Sequence, residues 1–400
     1  MAWDGCVVPP FGPVLRGFAP PVKFNITVCS PGRIFDTLNF VMRHTPFPFC
    51  FFVMVFVFAA LDYAQANEPE IKFFEADNKH IQYTGRVDFS DPKKPKFWQP
   101  GIYIQAKFRG SSCDLILNDE MPNGQRNYVT LVIDNQAPRR IRTTGKTTIV
   151  KAAEGLPGGT HTITVIKATE AGSGYLEFMG FICEDLVPFG ARPERTIEFI
   201  GNSITSSAGS DASMIACDKG QWYDQHNAYM SYGPMTARAL NAQWQLSAVS
   251  GIGLMKSYGF DKTMPQVYDK MDMRNDARPW NFNGYTPDVV TVCLGENDGP
   301  QDSVQFTKHY IAFIGTLRRH YPTAHIVCLT SPMAEPALNT MLQHYLAGIV
   351  NYYKQQGEDK VSYYAISKAY TAGCGGHPSQ AQHQEIASEL TAYLKTITGW

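Results

Sequence analysis

After residue 194 the chain alternates apolar runs with amphipathic stretches, and this alternation limits its fold more than any other feature. The runs "IEFIG", "WQLSAV", "DVVTVCLG", "AHIVCLTSP" and "VSYYAIS" are separated by "SYGPMTARALNA", "SVQFTKHYIAFIGTLRRHY" and "PALNTMLQHYLAGIVNYYKQQG", and "PSQAQHQEIASELTAYLKTI" follows the last. Near-continuous apolar strands are buried on both faces, and the helical stretches between them supply the cover. The pattern predicts a parallel sheet in an α/β/α arrangement over residues 195–400.

Residues 67–190 read differently. Short segments such as "HIQYTGRVDF", "GIYIQAKFRG", "NYVTLVIDN" and "GTHTITVIKATE" are each bounded by Gly, Pro, Asn or Asp, and no helical period interrupts them. Such spacing predicts an all-β sandwich, with a jelly roll as the expected form. The proline-bearing stretch at 188–194 marks the boundary between the two.

Ahead of both, residues 1–41 are proline-rich and aperiodic. Met42 and Arg43 then precede an apolar run of 13 residues, Phe49 to Leu61, and Ala64-Gln65-Ala66 fits a small-x-small processing site. The run is short for a membrane span and suits a signal peptide over 42–66, with cleavage near Ala66 and residues 1–41 lying before the true start. The expectation is a secreted or periplasmic protein with no membrane contact after cleavage. Thirty-five basic residues against 36 acidic ones leave a formal net charge of −1, so no bulk electrostatic attraction to nucleic acid or an anionic surface is expected. Six cysteines remain beyond Ala66. None has metal-knuckle spacing; Cys293 and Cys328 lie in strand patterns as buried thiols, and a Cys113–Cys183 bridge is conceivable.

Ligands of an open parallel sheet collect at the carboxyl ends of its strands. Polar residues gather there in "GNSITSSAG", "SAVSGIGL" and "LGENDG", and "GCGGHPSQAQH" precedes the last helix. Taken alone, Ser203 reads as a turn serine, Asn297 as a turn amide and His377 as an ordinary surface histidine. Taken in order, they make up the parts of acyl-transfer chemistry: a nucleophile, N–H donors for an oxyanion at Gly251 and Asn297, and a base.

That order of GNS, Gly251, GEND and His377 resembles the four blocks of the SGNH (GDSL-type) hydrolases over about 195–400. The β-rich part, with "FWQPGIYIQAKFRGSSCDLILNDE", is similar to that of carbohydrate esterase family 2, in which a jelly roll precedes the SGNH domain. The resemblance implies a flavodoxin-like three-layer domain and removal of O-acetyl groups from plant polysaccharides or oligosaccharides, without metal or organic cofactor. It casts Ser203 as nucleophile and His377 as base, with the N–H groups of Ser203 and Gly251 and the Asn297 side chain as oxyanion hole. Two departures stand out. Asn202 replaces the usual aspartate, and position 374, where an aspartate usually orients the histidine, is Cys374. A backbone carbonyl near Cys374 or Gly375 is then expected to hold the imidazole, as in some family members, and Gly376 lacks the aromatic residue often found before the histidine. Trp222, Tyr223 and Tyr229 in "CDKGQWYDQHNAYMSYG" are candidates for stacking on sugar, or for plain packing of an insertion. Two other readings remain: an SGNH lysophospholipase or thioesterase with an apolar acyl tunnel, and a carbohydrate-binding protein built on a decayed esterase. The intact Ser203, Asn297 and His377 weigh against decay.

Overall fold

The fold is taken from a computed structural model that describes residues 70–274 and 278–400. The proposed start and signal segment, 1–66, lies outside the described residues. Ten antiparallel strands open the described chain: β1 (Lys72–Glu75), β2 (Gln82–Thr84), β3 (Val87–Asp88), β4 (Lys96–Phe97), β5 (Tyr103–Asp119), β6 (Tyr128–Ile133), β7 (Arg139–Arg142), β8 (Thr147–Ala153), β9 (Thr160–Lys167) and β10 (Leu176–Val187). The long β5 joins them. Its first half pairs with β2 and β9, its second half with β8, and β10 runs beside it. Alternate β5 residues (Ile104, Ala106, Phe108, then Cys113, Leu115, Leu117) point into one core with Val165, Phe178 and Phe181, as the period-2 pattern requires.

Five parallel strands follow: β11 (Arg195–Gly201), β12 (Ala242–Ala248), β13 (Val289–Val292), β14 (His325–Leu329) and β15 (Val361–Tyr364), in the order β12-β11-β13-β14-β15. The helices are α1 (Ser203–Ser206), α2 (Tyr232–Ala239), α3 (Met264–Val267), α4 (Ser303–His320), α5 (Pro336–Gln355) and α6 (Gln380–Thr398). On one face of the sheet α2 and α6 bury Tyr232, Met235, Ile386 and Leu390 against Phe199 and Val327; on the other, α4 and α5 bury Phe306, Phe313, Leu342 and Leu346 against Ile200 and Val292. Helix ends follow local chemistry. Asp302 caps α4 through Gln305 N–H at 3.0 Å, and a Ser379/Gln382 capping box starts α6 just past His377. This is the expected three-layer α/β/α arrangement, preceded by an antiparallel all-β region.

Both sheets belong to one compact unit, residues 70–400. The all-β part covers the exposed edge of β12, where Trp244 Nε1 donates to Gly101 O (2.9 Å) and the Tyr103 and Trp244 rings lie 4.1 Å apart. Arg86 goes deeper. Its guanidinium, 0% exposed, donates to the carbonyls of Tyr268 (2.6 Å) and Lys270 (2.7 Å) and sits 3.5 Å from the equally buried Glu198 in β11.

Cys113 and Cys183, considered as a bridge, are direct partners across β5 and β10, yet both are free buried thiols. The neighbouring Cys183 thiol and burial push the Cys113 pKa up. The disulfide among the described residues joins Cys217 to Cys374 instead.

Removing one member of a buried ion pair leaves the other charge uncompensated, at a cost of about 3–5 kcal/mol. Arg86→Met is expected to lower the urea-unfolding free energy by that amount, and the Arg86→Met/Glu198→Gln double variant by clearly less.

Candidate active site

Register brings the first three blocks together. Gly201, the last residue of β11, pairs with Ala248 at the end of β12, and Ile200 pairs with Val292 at the end of β13. The segments carrying Ser203, Gly251 and Asn297 therefore leave three adjacent strands at one edge. At Gly201 any Cβ would lie 2.1 Å from Thr205 Oγ1, so only glycine lets the chain turn sharply out of the strand. Asn202 then caps α1, its Oδ1 accepting the Ile204 N–H at 3.0 Å. The side chain standing where an aspartate is usual thus serves the loop. Ser203 occupies the first turn of this four-residue helix and is half-buried.

His377 arrives from 174 residues away, and its Nε2 lies 2.8 Å from Ser203 Oγ. On the other side of the ring, Nδ1 faces the Gly375 carbonyl at 3.3 Å. A carbonyl only accepts, so Nδ1 carries the hydrogen and Nε2 is left with a lone pair toward the serine. Burial lowers the pKa of His377 below the ordinary imidazole value; the Gly375 and Cys374 carbonyls and the charge of Glu170 act in the opposite direction.

The Gly251 segment is shaped by the third strand's loop. Gly251 has φ +79°, and a Cβ there would sit 2.4 Å from the Tyr258 carbonyl oxygen, so the position demands glycine. Asn297 Nδ2 donates to Ile252 O at 2.8 Å, which fixes the amide and leaves one N–H hydrogen unengaged. Beside it, the buried Asp298 accepts the N–H groups of Leu254 (2.9 Å), Met255 (2.6 Å) and Lys256 (3.1 Å). Sequence reasoning weighed Asn297 and passed over its neighbour; nothing local marks a carboxylate whose three partners lie more than 40 positions away.

The all-β part also reaches this edge. Glu170, in the turn after β9, is buried, and its Oε2 accepts the Ser250 N–H at 3.3 Å. Arg140 of β7 pairs with the buried Asp211 (3.3 Å) and donates to the His226 carbonyl (2.7 Å), and Tyr128 of β6 donates to Asp224 (2.6 Å). These bonds pin the 211–227 insertion that carries Trp222. Of the aromatic candidates, Trp222 stands at the site, its ring 5.1 Å from that of His377 and 41% exposed. Tyr229 lies elsewhere, under the Arg238 guanidinium (3.8 Å) and against Trp244. For Tyr223 the structure gives a backbone role, its carbonyl accepting the His226 N–H at 3.4 Å.

Residues 83–193 match the carbohydrate esterase 2 N-terminal family, and residues 199–385 match the GDSL-like lipase/acylhydrolase family. A solved family two carbohydrate esterase from Clostridium thermocellum, in complex with cellohexaose, is 32% identical with a TM-score of 0.74; the match covers 80% of this chain and 99% of that one. The chain belongs to carbohydrate esterase family 2. Among other relatives, the cellulase/esterase CelE of Acetivibrio thermocellus is 34% identical over 346 residues, which are 82% of this chain and 40% of CelE. The chain thus matches less than half the length of that relative. An acetylxylan esterase / glucomannan deacetylase of Cellvibrio japonicus is 27% identical over 365 residues, covering 88% of this chain and 99% of the relative. Within this family 2 chain, the two matched regions meet at the Ser203–His377 edge through Glu170 and Arg140.

Asp298→Ala removes the shared acceptor of three amides, two of them on half-buried or buried residues. It is expected to lower the unfolding free energy by about 2–3 kcal/mol and to speed hydrogen exchange at Leu254–Lys256.

Proposed function

We propose that the protein is an exported esterase that removes O-acetyl groups from plant polysaccharides or oligosaccharides through a Ser203–His377 dyad. The observation that carries this reading is the 2.8 Å approach of His377 Nε2 to Ser203 Oγ, at the ligand-binding edge of the sheet of a family 2 chain. The relatives' activity on acetylxylan and glucomannan supports the substrate class. Export rests on residues 42–66 alone, and a division into a β-domain over 67–190 and a hydrolase domain over 195–400 on the change of sequence pattern.

In the proposed reaction His377 Nε2 takes the Ser203 proton as Oγ attacks the acetyl carbonyl carbon. The oxygen that gains the charge is met by the N–H groups of Ser203 and Gly251 and by the free amide hydrogen of Asn297. The C–O bond to the sugar breaks, and the sugar oxygen takes the proton back from His377. Water then attacks the acetyl-serine, again losing its proton to His377, and acetate leaves as Ser203 is reprotonated. No carboxylate neutralises the imidazolium directly; the Gly375 carbonyl holds the ring and supplies a partial charge. Trp222, exposed beside His377, offers a face on which a sugar ring can stack.

Acetate release from acetylated glucomannan and xylan tests the dyad. Ser203→Ala and His377→Ala are each expected to lower kcat by on the order of a thousandfold or more; a Ser203→Ala protein that still released acetate at the wild-type rate would overturn the mechanism. Cleavage of long-chain acyl esters in preference to acetyl esters would instead favour a lipase-like activity.

The pH profile provides a second test. A base must be neutral, so kcat/KM falls as pH drops through the pKa of His377. With that pKa lowered by burial, the midpoint is expected below 6.5. Glu170 is an anion that favours the protonated ring, while His226, pushed by burial to about 4, and His383, to about 3, stay neutral nearby. Glu170→Gln should therefore move the acid midpoint further down, and an upward shift would contradict this account.

A further inference from the structure

The histidine turn has almost no side chains with which to hold itself. Three of the four residues 373–376 are glycine, and the fourth is Cys374. Gly375 and Gly376 both have positive φ (61° and 73°), a conformation that glycine adopts freely and also leaves freely. Yet the Gly375 carbonyl is what orients His377, because no carboxylate does so. The turn is sewn down by backbone bonds: Cys374 N–H to Gly209 O (2.7 Å), Gly373 N–H to His377 O (2.6 Å) and Gln380 N–H to Ser210 O (3.2 Å). Its single side chain is engaged in the disulfide to Cys217, 157 residues earlier and on the insertion that carries Trp222. The Trp222 ring closes the same turn from above, 3.2 Å from where a Cβ on Gly375 would stand.

We infer that the Cys217–Cys374 disulfide is a positioning device for the base, keeping the Gly373–Gly376 turn and its carbonyl where His377 needs them in place of the absent aspartate. The inference rests on the dyad reading given above. An aspartate would orient the ring by charge and hydrogen bond; here a covalent tether limits the glycine turn so that one carbonyl suffices. Cys374 and Cys217 are positioning residues, since neither touches the reacting atoms. Loss of the tether lets the ring wander from Ser203 Oγ, which penalises the chemical step, while the surface that binds a small ester stays intact.

Cys217 is exposed, and the four described cysteines outside the bridge (Cys113, Cys183, Cys293 and Cys328) are buried free thiols, so the bridge is the accessible target for a reductant. Reduction by dithiothreitol moves two electrons and two protons to the bridge, leaving two thiols and oxidised, cyclic dithiothreitol. The experiment measures kcat and KM for 4-nitrophenyl acetate on folded enzyme before reduction, after it, and after reoxidation, at a temperature below the melting point of the reduced form. Reduction is expected to lower kcat about tenfold with KM held within about twofold, and reoxidation to restore it. Cys217→Ser should match the reduced enzyme and be insensitive to dithiothreitol. If that variant fails to fold, reduction of the prefolded wild type decides the matter. Reduced, folded enzyme with wild-type kcat, or a loss confined to KM, would overturn the inference. His377→Ala separates the two readings: if it abolishes activity while reduction does not, only the tether fails, and if it keeps activity, the dyad itself fails.

Discussion

Arg86 and Glu198 form a fully buried ion pair between the all-β part and β11, the strand that ends two residues before Ser203. A lone guanidinium or carboxylate in that position would be too costly to bury, so the two sheets must meet for either charge to be tolerated. Glu198 also accepts from Gln245 Nε2 (3.1 Å), the Ser247 hydroxyl and the Tyr268 hydroxyl (2.9 Å), so one carboxylate gathers β12 and the segment after the Gly251 loop. Arg86, stacked near the Tyr268, Trp280 and Phe282 rings, ties the same segment from the other side. The strand that presents Ser203 is thus held through one carboxylate by polar contacts that work only when the whole unit is assembled.

The same economy governs the site. The all-β part contributes no reacting group, yet Glu170 touches the Ser250 amide, and Arg140 and Tyr128 hold the insertion that bears Trp222. Asp298 fixes the loop after Gly251 through three amides. The carboxylates here organise backbone, and the histidine is left to a carbonyl. Burial lowers its pKa below the ordinary imidazole value, which favours the neutral ring and makes the imidazolium harder to form. Glu170 offsets part of that cost from a distance.

Much of this was legible in the residues. The apolar runs from "IEFIG" onward and the amphipathic stretches between them encode a covered parallel sheet, because burial on two faces or one stripe leaves a periodic trace. The blocks at Ser203, Gly251, Asn297 and His377 could be read because each lies just past a strand end or before a helix, where small and polar residues interrupt an apolar pattern. The cysteines could not be paired in this way. Cys113 and Cys183 face each other across two strands and are free, whereas Cys217 and Cys374 carry no mutual signal and are bonded. Trp222, Tyr223 and Tyr229 looked alike within one insertion, and only the packing of Trp244 and Arg238 around Tyr229 takes it away from the site.

By itself, then, the sequence determined the strand and helix order, the α/β layering and the identity of the polar residues at the sheet edge, all properties written in local periodicity. The tertiary structure alone decided which groups meet: Arg86 with Glu198, Asp298 with the Leu254–Lys256 amides, Cys217 with Cys374, and the Gly375 carbonyl with His377. Apart from the last, these partners are separated by 42 or more positions, and a charge or thiol carries no mark of the residue it will meet. Their pairing follows from how the two sheets pack, because burial penalises every polar group that arrives without its partner.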